Sequence, residues 1–146
     1  MGRCLIDASV TLAWLFDESG RGAALDRQLK PLQLVAPWLW RLEVVNAVVA
    51  RERRRQITEA QGIRLLSALE CADVEVVAEP GTRTLTGLAQ TARPHLLTAY
   101  DAIYLDLATS LGLPLLTDDT NLRAAALRTG VELIEPVTAT PPSGRS

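Results

Sequence analysis

The sequence predicts an α/β fold, a three-layer α/β/α sandwich around a central, mainly parallel sheet. Short apolar runs that are typical of buried strands alternate with longer segments whose apolar residues have helical spacing. Parallel strands need long crossover connections, which helices supply. The chain has 146 residues, of which 48% are hydrophobic and 22% charged, and this composition fits one domain with one core. We expect this domain to span residues 1–135 and the proline-rich residues 136–146 to form a mobile tail.

The N-terminal half is predicted to contain one strand and four helices. Residues 3–7 form a short apolar run typical of a buried strand, and residues 9–16 and 21–29 follow as helices, the second ending before a proline. Residues 38–55 carry apolar side chains at helical spacing behind a proline, a residue favoured where helices begin. Residues 58–71 open with a partial capping signature and form the fourth predicted helix.

The C-terminal half is predicted to contain three strands and three helices. The run at residues 74–77 favours a strand, and the helix after it, at residues 82–92, is ended by a proline. A capping-box spacing opens a helix at residues 98–111, and a glycine ends it. The last three elements are a strand, a helix and a strand, at residues 114–117, 120–128 and 131–134.

Composition and charge exclude several classes of protein. Fifteen Lys and Arg against 17 Asp and Glu leave a net charge of −2, so no global basic field attracts nucleic acid, and any such binding must be local or assisted by metal. Cys4 and Cys71 lack the spacing of a zinc site and are expected to be thiols. No apolar run approaches the ~18 residues that span a bilayer, so we expect a cytoplasmic protein without a membrane segment.

Four acids on separate predicted elements are the candidate functional residues: Asp7, Glu43, Asp101 and Asp119. Asp7 ends one predicted strand and the pair at 118–119 directly follows another, at the edge where parallel sheets bind their ligands. Each acid also has a structural alternative. Asp7 and Asp119 stand where residues cap helices, and Asp101 can complete a capping box. Glu43 lies in the most apolar helix, where a carboxylate is costly unless it is paired, protonated, bound to metal or solvated through a gap in the apolar face.

These residue types favour one class of chemistry. The only histidine, His95, lies in a predicted loop, so Ser-His-Asp and Cys-His schemes lack a credible base. Two carboxylates ~4 Å apart repel by ~4 kcal/mol at an effective dielectric near 20, and a bound cation reverses that sign. A set of ligands that offers only oxygen atoms, with no Cys or His, suits Mg²⁺ or Mn²⁺ rather than zinc. Such ions, singly or as a pair ~3.5–4 Å apart, support phosphoryl transfer.

Four stretches of the sequence resemble, in order, the motifs of PIN-domain nucleases, and more narrowly those of VapC-type ribonuclease toxins. They are residues 5–10 (LIDASV), 36–47 (APWLWRLEVVNA), 98–104 (TAYDAIY) and 115–119 (LLTDD). The resemblance covers about residues 4–134. It implies a metal-dependent endoribonuclease that hydrolyses RNA phosphodiester bonds with Mg²⁺ or Mn²⁺. It also implies the toxin of a type II toxin–antitoxin pair, a VapB-like antitoxin as partner, and a homodimer.

The resemblance also implies roles for individual residues. The implied catalytic and metal-binding residues are Asp7, Glu43, Asp101 and Asp119. The implied residues that line the site or support the acids are Ser9, Asn46 and Thr117. Asp118 supplies an adjacent carboxylate and is a further site-lining candidate, although the register of the motif favours Asp119 as the fourth acid.

Arg53, near the end of the predicted helix at 38–55, is a candidate contact to an RNA phosphate. Glu43, Asn46, Ala50 and Arg53 follow the spacing of one helical face, so Arg53 can point along the site. The alternative is a solvated helix end that complements the helix dipole. Trp38 and Trp40 can stack on bases, with packing in the core as their alternative.

Two other functions stay open. A strand-end acid such as Asp7 is also how phosphoaspartyl-type phosphohydrolases present their nucleophile. Ser9 occupies the position where that family usually has a second Asp as general acid. The chain can instead be a non-catalytic PIN-like binding module, either receiver-like or a degenerate nuclease. The complete set of four acids argues against degeneration.

Overall fold

A four-stranded parallel sheet forms the centre of the computed structural model, which describes residues 2–78 and 84–139. Its strands are β1 (Arg3–Ile6), β2 (Gln33–Pro37), β3 (Glu75–Val77) and β4 (Leu115–Leu116). Their order in space is β3-β2-β1-β4, with Cys4 opposite Leu34 and Ile6 opposite Leu116. Strands β1 and β2 are therefore central, and all carboxyl ends lie at one edge of the sheet.

Seven α-helices flank this sheet within the described ranges. They are α1 (Ala8–Leu15), α2 (Gly22–Leu29), α3 (Trp38–Arg53), α4 (Glu59–Cys71), α5 (Leu85–Ala92), α6 (Ala99–Leu111) and α7 (Thr120–Thr129). Short 3-10 turns lie at Glu18–Gly20 and Arg93–His95. The predicted three-layer α/β/α fold is confirmed. None of the helices in this part of the chain has the length and hydropathy needed to cross a membrane.

Local capping explains several helix boundaries. Thr58 and Gln61 form a complete capping box at the start of α4. The Thr98 hydroxyl accepts the Asp101 N–H at the start of α6. Helix α6 ends at Gly112, whose φ of 63° lies in the left-handed region that glycine adopts without strain. These contacts involve residues a few positions apart, which is why the sequence predicted them.

The strands differ from the prediction in two places. Strand β2 was not predicted, because its buried Leu34, Val35 and Ala36 lie between two prolines and run straight into α3. The strand predicted at residues 131–134 is reduced to a single bridge between Leu133 and Leu115. At this edge the chain makes too few ladder hydrogen bonds to form a regular strand.

Buried polar side chains are concentrated at the carboxyl edge of the sheet. Among the described residues they are Asp7, Thr11 and Thr117, each at most 4% exposed. The Trp40 indole N–H donates to the Thr11 hydroxyl at 2.9 Å, so Trp40 takes the packing alternative. Trp38 remains 49% exposed.

Part of the predicted mobile tail contacts helix α2. The Val137 N–H donates to the Gln28 side chain at 3.0 Å, and the Arg21 Nε–H donates to the Val137 carbonyl at 2.9 Å. Residues 140–146 of that predicted tail lie outside the described residues. Of the predicted helix at 82–92, residues 82 and 83 also lie outside them.

Candidate active site

The four predicted acids line one cavity of about 520 Å³ at the carboxyl edge of the sheet. Asp7 directly follows β1, Asp119 follows β4, Glu43 comes from α3 and Asp101 from the first turn of α6. These elements are far apart in sequence, and the parallel sheet brings their ends together. Ser9 and Asn46 also line the cavity.

Asp7 is the most deeply buried of the acids, at 4% exposed. Its Oδ2 accepts hydrogen bonds from the Thr117 hydroxyl at 2.6 Å and the Ser9 hydroxyl at 2.8 Å. Burial raises the pKa of Asp7 above its ordinary value, and the two hydroxyl donors partly offset that rise. Asp7 makes no side-chain capping bond to α1, although it occupies the N-cap position. Its carboxylate is therefore oriented mainly by the hydroxyls of Thr117 and of Ser9, the second residue of α1.

The hydroxyls of Ser9 and Thr117 connect Asp7 to the chain after β4. The Asp118 N–H donates to Ser9 Oγ, and the Asp119 N–H donates to Thr117 Oγ1, both at 3.0 Å. Each hydroxyl thus donates to Asp7 and accepts from a backbone amide. This small network fixes the two strand ends relative to each other.

Glu43 is half-buried and is held by Tyr104, a residue to which the sequence analysis assigned no role. The Tyr104 hydroxyl donates to Glu43 Oε1 at 2.8 Å. Burial, together with the negative charges of Asp7 and Asp101, raises the pKa of Glu43 to about 7, and the Tyr104 hydrogen bond opposes that rise. Tyr104 is fully buried, and burial together with the neighbouring acids raises its own pKa. Its only sequence signal is its place three residues after Asp101, on the same face of α6.

Asp101 and Asp119 complete the lining of acids. Burial, together with the negative charges of Asp119 and Asp7, raises the pKa of Asp101 to about 6. Asp119 Oδ1 accepts the Leu122 N–H at 2.8 Å, so this residue caps α7 and also lines the cavity. The capping alternative for Asp119 therefore does not exclude its place in the cavity.

The donor set suits a hard divalent cation. Carboxylates that raise each other's pKa are destabilised when ionised, and a cation between them would reverse that repulsion. Within residues 2–78 and 84–139, no three acidic, histidine or cysteine side chains converge into a ready-made metal cage. Mg²⁺ fits such an open arrangement, because it commonly keeps several waters and takes only one or two carboxylates directly.

The remaining predicted residues lie in different places. Asn46 lines the cavity one turn after Glu43. The Asp118 carboxylate pairs with both terminal nitrogens of Arg21, at 2.8 and 3.1 Å, and does not line the cavity. Arg53 is exposed at the end of α3, about 10 Å along the helix from Asn46.

The chain matches known proteins along most of its length. Residues 4–127 match the family model of the PIN domain. Over 126 residues the chain is 32% identical to Ribonuclease VapC1 of Mycobacterium tuberculosis, an alignment that covers 86% of this chain and 92% of that protein.

Solved structures resemble the fold. The crystal structure of PAE2754 from Pyrobaculum aerophilum has a TM-score of 0.66 and 25% identity, covering 92% of this chain and 89% of that one. VapBC2 from Rickettsia felis, bound to a DNA fragment from their promoter, has a TM-score of 0.65 at 11% identity, covering 91% and 98%, which is a likeness of fold alone. The ordered motifs, the fold and the relatives agree, and the chain belongs to the PIN-domain family and, within it, to the VapC-type ribonucleases.

Proposed function

We propose that this protein is an endoribonuclease that hydrolyses RNA phosphodiester bonds with Mg²⁺ or Mn²⁺, as the toxin of a type II toxin–antitoxin pair. The proposed catalytic and metal-binding residues are Asp7, Glu43, Asp101 and Asp119. One observation carries the proposal: four acids from four elements line one cavity, where burial together with the charges of neighbouring acids raises the pKa of Asp7, Glu43 and Asp101. Sequence identity of 32% to a ribonuclease favours RNA as the substrate.

The chain's own residues prepare the site for that chemistry. A bound divalent ion would polarise the scissile phosphate and lower the pKa of a water molecule to yield hydroxide. Ser9 and Thr117 hold the Asp7 carboxylate in one orientation, and Tyr104 does the same for Glu43. Such fixed donors mean that little reorganisation is needed when the ion and the phosphate arrive. Asn46 lines the same cavity and can donate to a phosphate oxygen.

Arg53 remains a proposed contact to an RNA phosphate. It is exposed on α3 beyond Asn46, so it would meet the RNA backbone away from the cleaved bond. Phosphate contacts of this kind position a nucleic acid without reading its sequence. We expect Arg53→Ala to weaken RNA binding and to reduce its salt dependence, with no loss of Mn²⁺ affinity.

A VapB-like antitoxin and a homodimer are also proposed. Trp38, Leu42 and Val45 are 44–49% exposed and follow the i, i+4, i+7 spacing of one face of α3. A stripe of large exposed apolar side chains on one face fits a protein partner better than water. Co-expression with a candidate antitoxin and light scattering of the isolated chain test the two assemblies separately.

The test of catalysis uses purified protein and a single-stranded RNA. We expect cleavage with Mg²⁺ or Mn²⁺ that EDTA abolishes, and a loss of at least about 1,000-fold in Asp7→Asn. Asp26→Asn, an exposed acid on α2, is the matched control and should keep wild-type activity. Cleavage that survives chelation, or a fully active Asp7→Asn, would refute the proposal.

Two further measurements address the alternatives. Turnover of a small phosphate ester, with none on RNA, would favour a phosphohydrolase that uses Asp7 as nucleophile. Calorimetric titration with Mn²⁺ addresses the binding-module alternative. If no Mn²⁺ binding depends on the four acids, the binding-module alternative is favoured.

A further inference from the structure

The loop after β4, residues 117–119, is held from outside the cavity by two arginines. Arg21 donates from both terminal nitrogens to the two carboxylate oxygens of Asp118, at 2.8 and 3.1 Å. Arg123, in the first turns of α7, donates from one terminal nitrogen to the Thr117 carbonyl at 3.3 Å. The loop that carries one proposed metal-binding acid is thus fixed on its outer side.

The same two arginines hold the C-terminal segment, residues 135–137. The Arg21 Nε–H donates to the Val137 carbonyl at 2.9 Å. The second terminal nitrogen of Arg123 donates to both carboxylate oxygens of Glu135, at 2.6 and 2.7 Å. Each arginine therefore bridges the loop and the segment, although the two are separated in sequence by helix α7.

Burial and geometry set the Arg21–Asp118 contact apart from an ordinary surface ion pair. The side chains of Arg21 and Asp118 are 15% and 34% exposed, and their fork-to-carboxylate geometry is bidentate. The Arg123 side chain is 27% exposed, whereas its partner Glu135 is 73% exposed, so water screens that pair more strongly. Gln28 reinforces the segment by donating to the Glu135 carbonyl at 2.8 Å.

The loop is linked to the acids by hydrogen bonds from its backbone amides. The Asp118 N–H donates to the Ser9 hydroxyl, which in turn donates to Asp7. The Asp119 N–H donates to the Thr117 hydroxyl, which also donates to Asp7. A shift of the loop would therefore disturb two donors to Asp7 and move Asp119 itself.

We propose that Arg21 and Arg123 are positioning residues for the active site, because they tie the loop at 117–119 to the C-terminal segment. Arg21 also holds the Asp118 carboxylate away from the cavity, where a fifth negative charge would add to the existing repulsion. The consequence for catalysis rests on the proposed function. The mechanical claim, that the loop is fixed by these arginines, does not.

Hydrogen exchange of the metal-free chain tests the mechanical claim. We expect the amides of Asp118 and Asp119 to exchange about three- to tenfold faster in Arg21→Ala, and less so in Arg123→Ala, because local opening needs fewer broken contacts. Arg27→Ala, an exposed arginine on the same helix as Gln28, is the matched control and should exchange as the wild type does. Unchanged exchange at both amides in Arg21→Ala would overturn the proposal. An equal rise along the whole chain would also overturn it, since it would indicate a general loss of stability.

Variants of the Arg21–Asp118 pair keep the test informative if Arg21→Ala does not fold. Asp118→Asn and Arg21→Lys both remove the bidentate contact. Each should speed exchange at the Asp119 amide by a smaller factor than Arg21→Ala does. The double variant Arg21→Ala with Asp118→Asn should speed amide exchange no more than the more severe single variant does, because both substitutions break the same contact. A fully additive effect would contradict a shared contact and overturn the proposal.

Activity then links the loop to catalysis. With RNA as substrate, we expect Arg21→Ala to lower kcat by about tenfold and to weaken Mn²⁺ binding, with KM for RNA little changed. A raised KM with unchanged kcat would instead make Arg21 an RNA contact and overturn its positioning role. If the wild type cleaves no RNA, the proposed function fails, and the exchange measurements still decide whether the arginines hold the loop.

Discussion

Replacing Glu43 with glutamine should stabilise the metal-free protein while abolishing its activity. The glutamine side chain would be nearly isosteric with the protonated acid, and its amide oxygen can still accept the Tyr104 hydrogen bond. The change removes only a negative charge that burial and two neighbouring acids disfavour. Under the proposed function, catalysis therefore needs a charge at Glu43 that destabilises the metal-free fold.

The magnitude follows from the raised pKa of Glu43. A rise from 4.5 to about 7 corresponds to ~3 kcal/mol at ~1.4 kcal/mol per pKa unit. The side chain is only half-buried, so water screens part of the repulsion, and we expect a gain of ~1–2 kcal/mol at pH 8. For a chain of this size that gain raises Tm by about 2–8 °C.

The direction in which stability changes with pH follows from the raised pKa of Glu43. Because the pKa of Glu43 is higher in the folded state, the folded protein binds more protons between pH 4.5 and about 7. Its stability therefore falls as the pH rises through that window. Below it the wild-type acid is protonated, so the advantage of Glu43→Gln should disappear at pH 4.

Thermal and urea unfolding in EDTA, at pH 4 and pH 8, measure the effect. Glu132→Gln, at an exposed glutamate, is the control for removing one negative charge and should change Tm little at either pH. The reasoning fails if Glu43→Gln is no more stable than the wild type at pH 8. It also fails if the gain is equal at both pH values, since protonation would then not be its cause.

Three further predictions follow from the same site. Tyr104→Phe should lower Mn²⁺ affinity and RNA cleavage by roughly tenfold at pH 7, because Glu43 loses its donor; calorimetry that finds unchanged affinity would argue against a role for this hydroxyl. Thr117→Val, which is close in shape, should cost ~1–3 kcal/mol in urea unfolding, because a buried carboxylate loses its shortest hydrogen bond; a loss below about 0.5 kcal/mol would contradict it. Mg²⁺ at ~100 times its Kd should stabilise the wild type by ~2.7 kcal/mol at pH 8 but much less at pH 5 or in Asp7→Asn, as differential scanning calorimetry can check; equal stabilisation of Asp7→Asn would place the ion elsewhere.

Much of the fold could be predicted from local signals. The capping box at Thr58 and the glycine at 112 act over three or four residues, so they are visible in the sequence. Strand β2 could not be recognised, because its four buried residues, 34–37, carry no periodicity and its identity depends on neighbours on both sides. A central strand is defined by its partners more than by its own propensity.

The sequence alone determined which acids are candidates, through their places at strand ends, in an apolar helix and in the first turn of a predicted helix. It could not decide whether an acid caps a helix or lines the cavity; Asp7 lines the cavity without a side-chain capping bond, and Asp119 does both. Tyr104 on Glu43 and Arg21 on Asp118 bridge 61 and 97 residues of sequence, and no local pattern specifies such contacts. Side-chain preferences act within a few residues of the chain, whereas the shared cavity, its repulsion and its supporting donors exist only once the parallel sheet has aligned its strand ends.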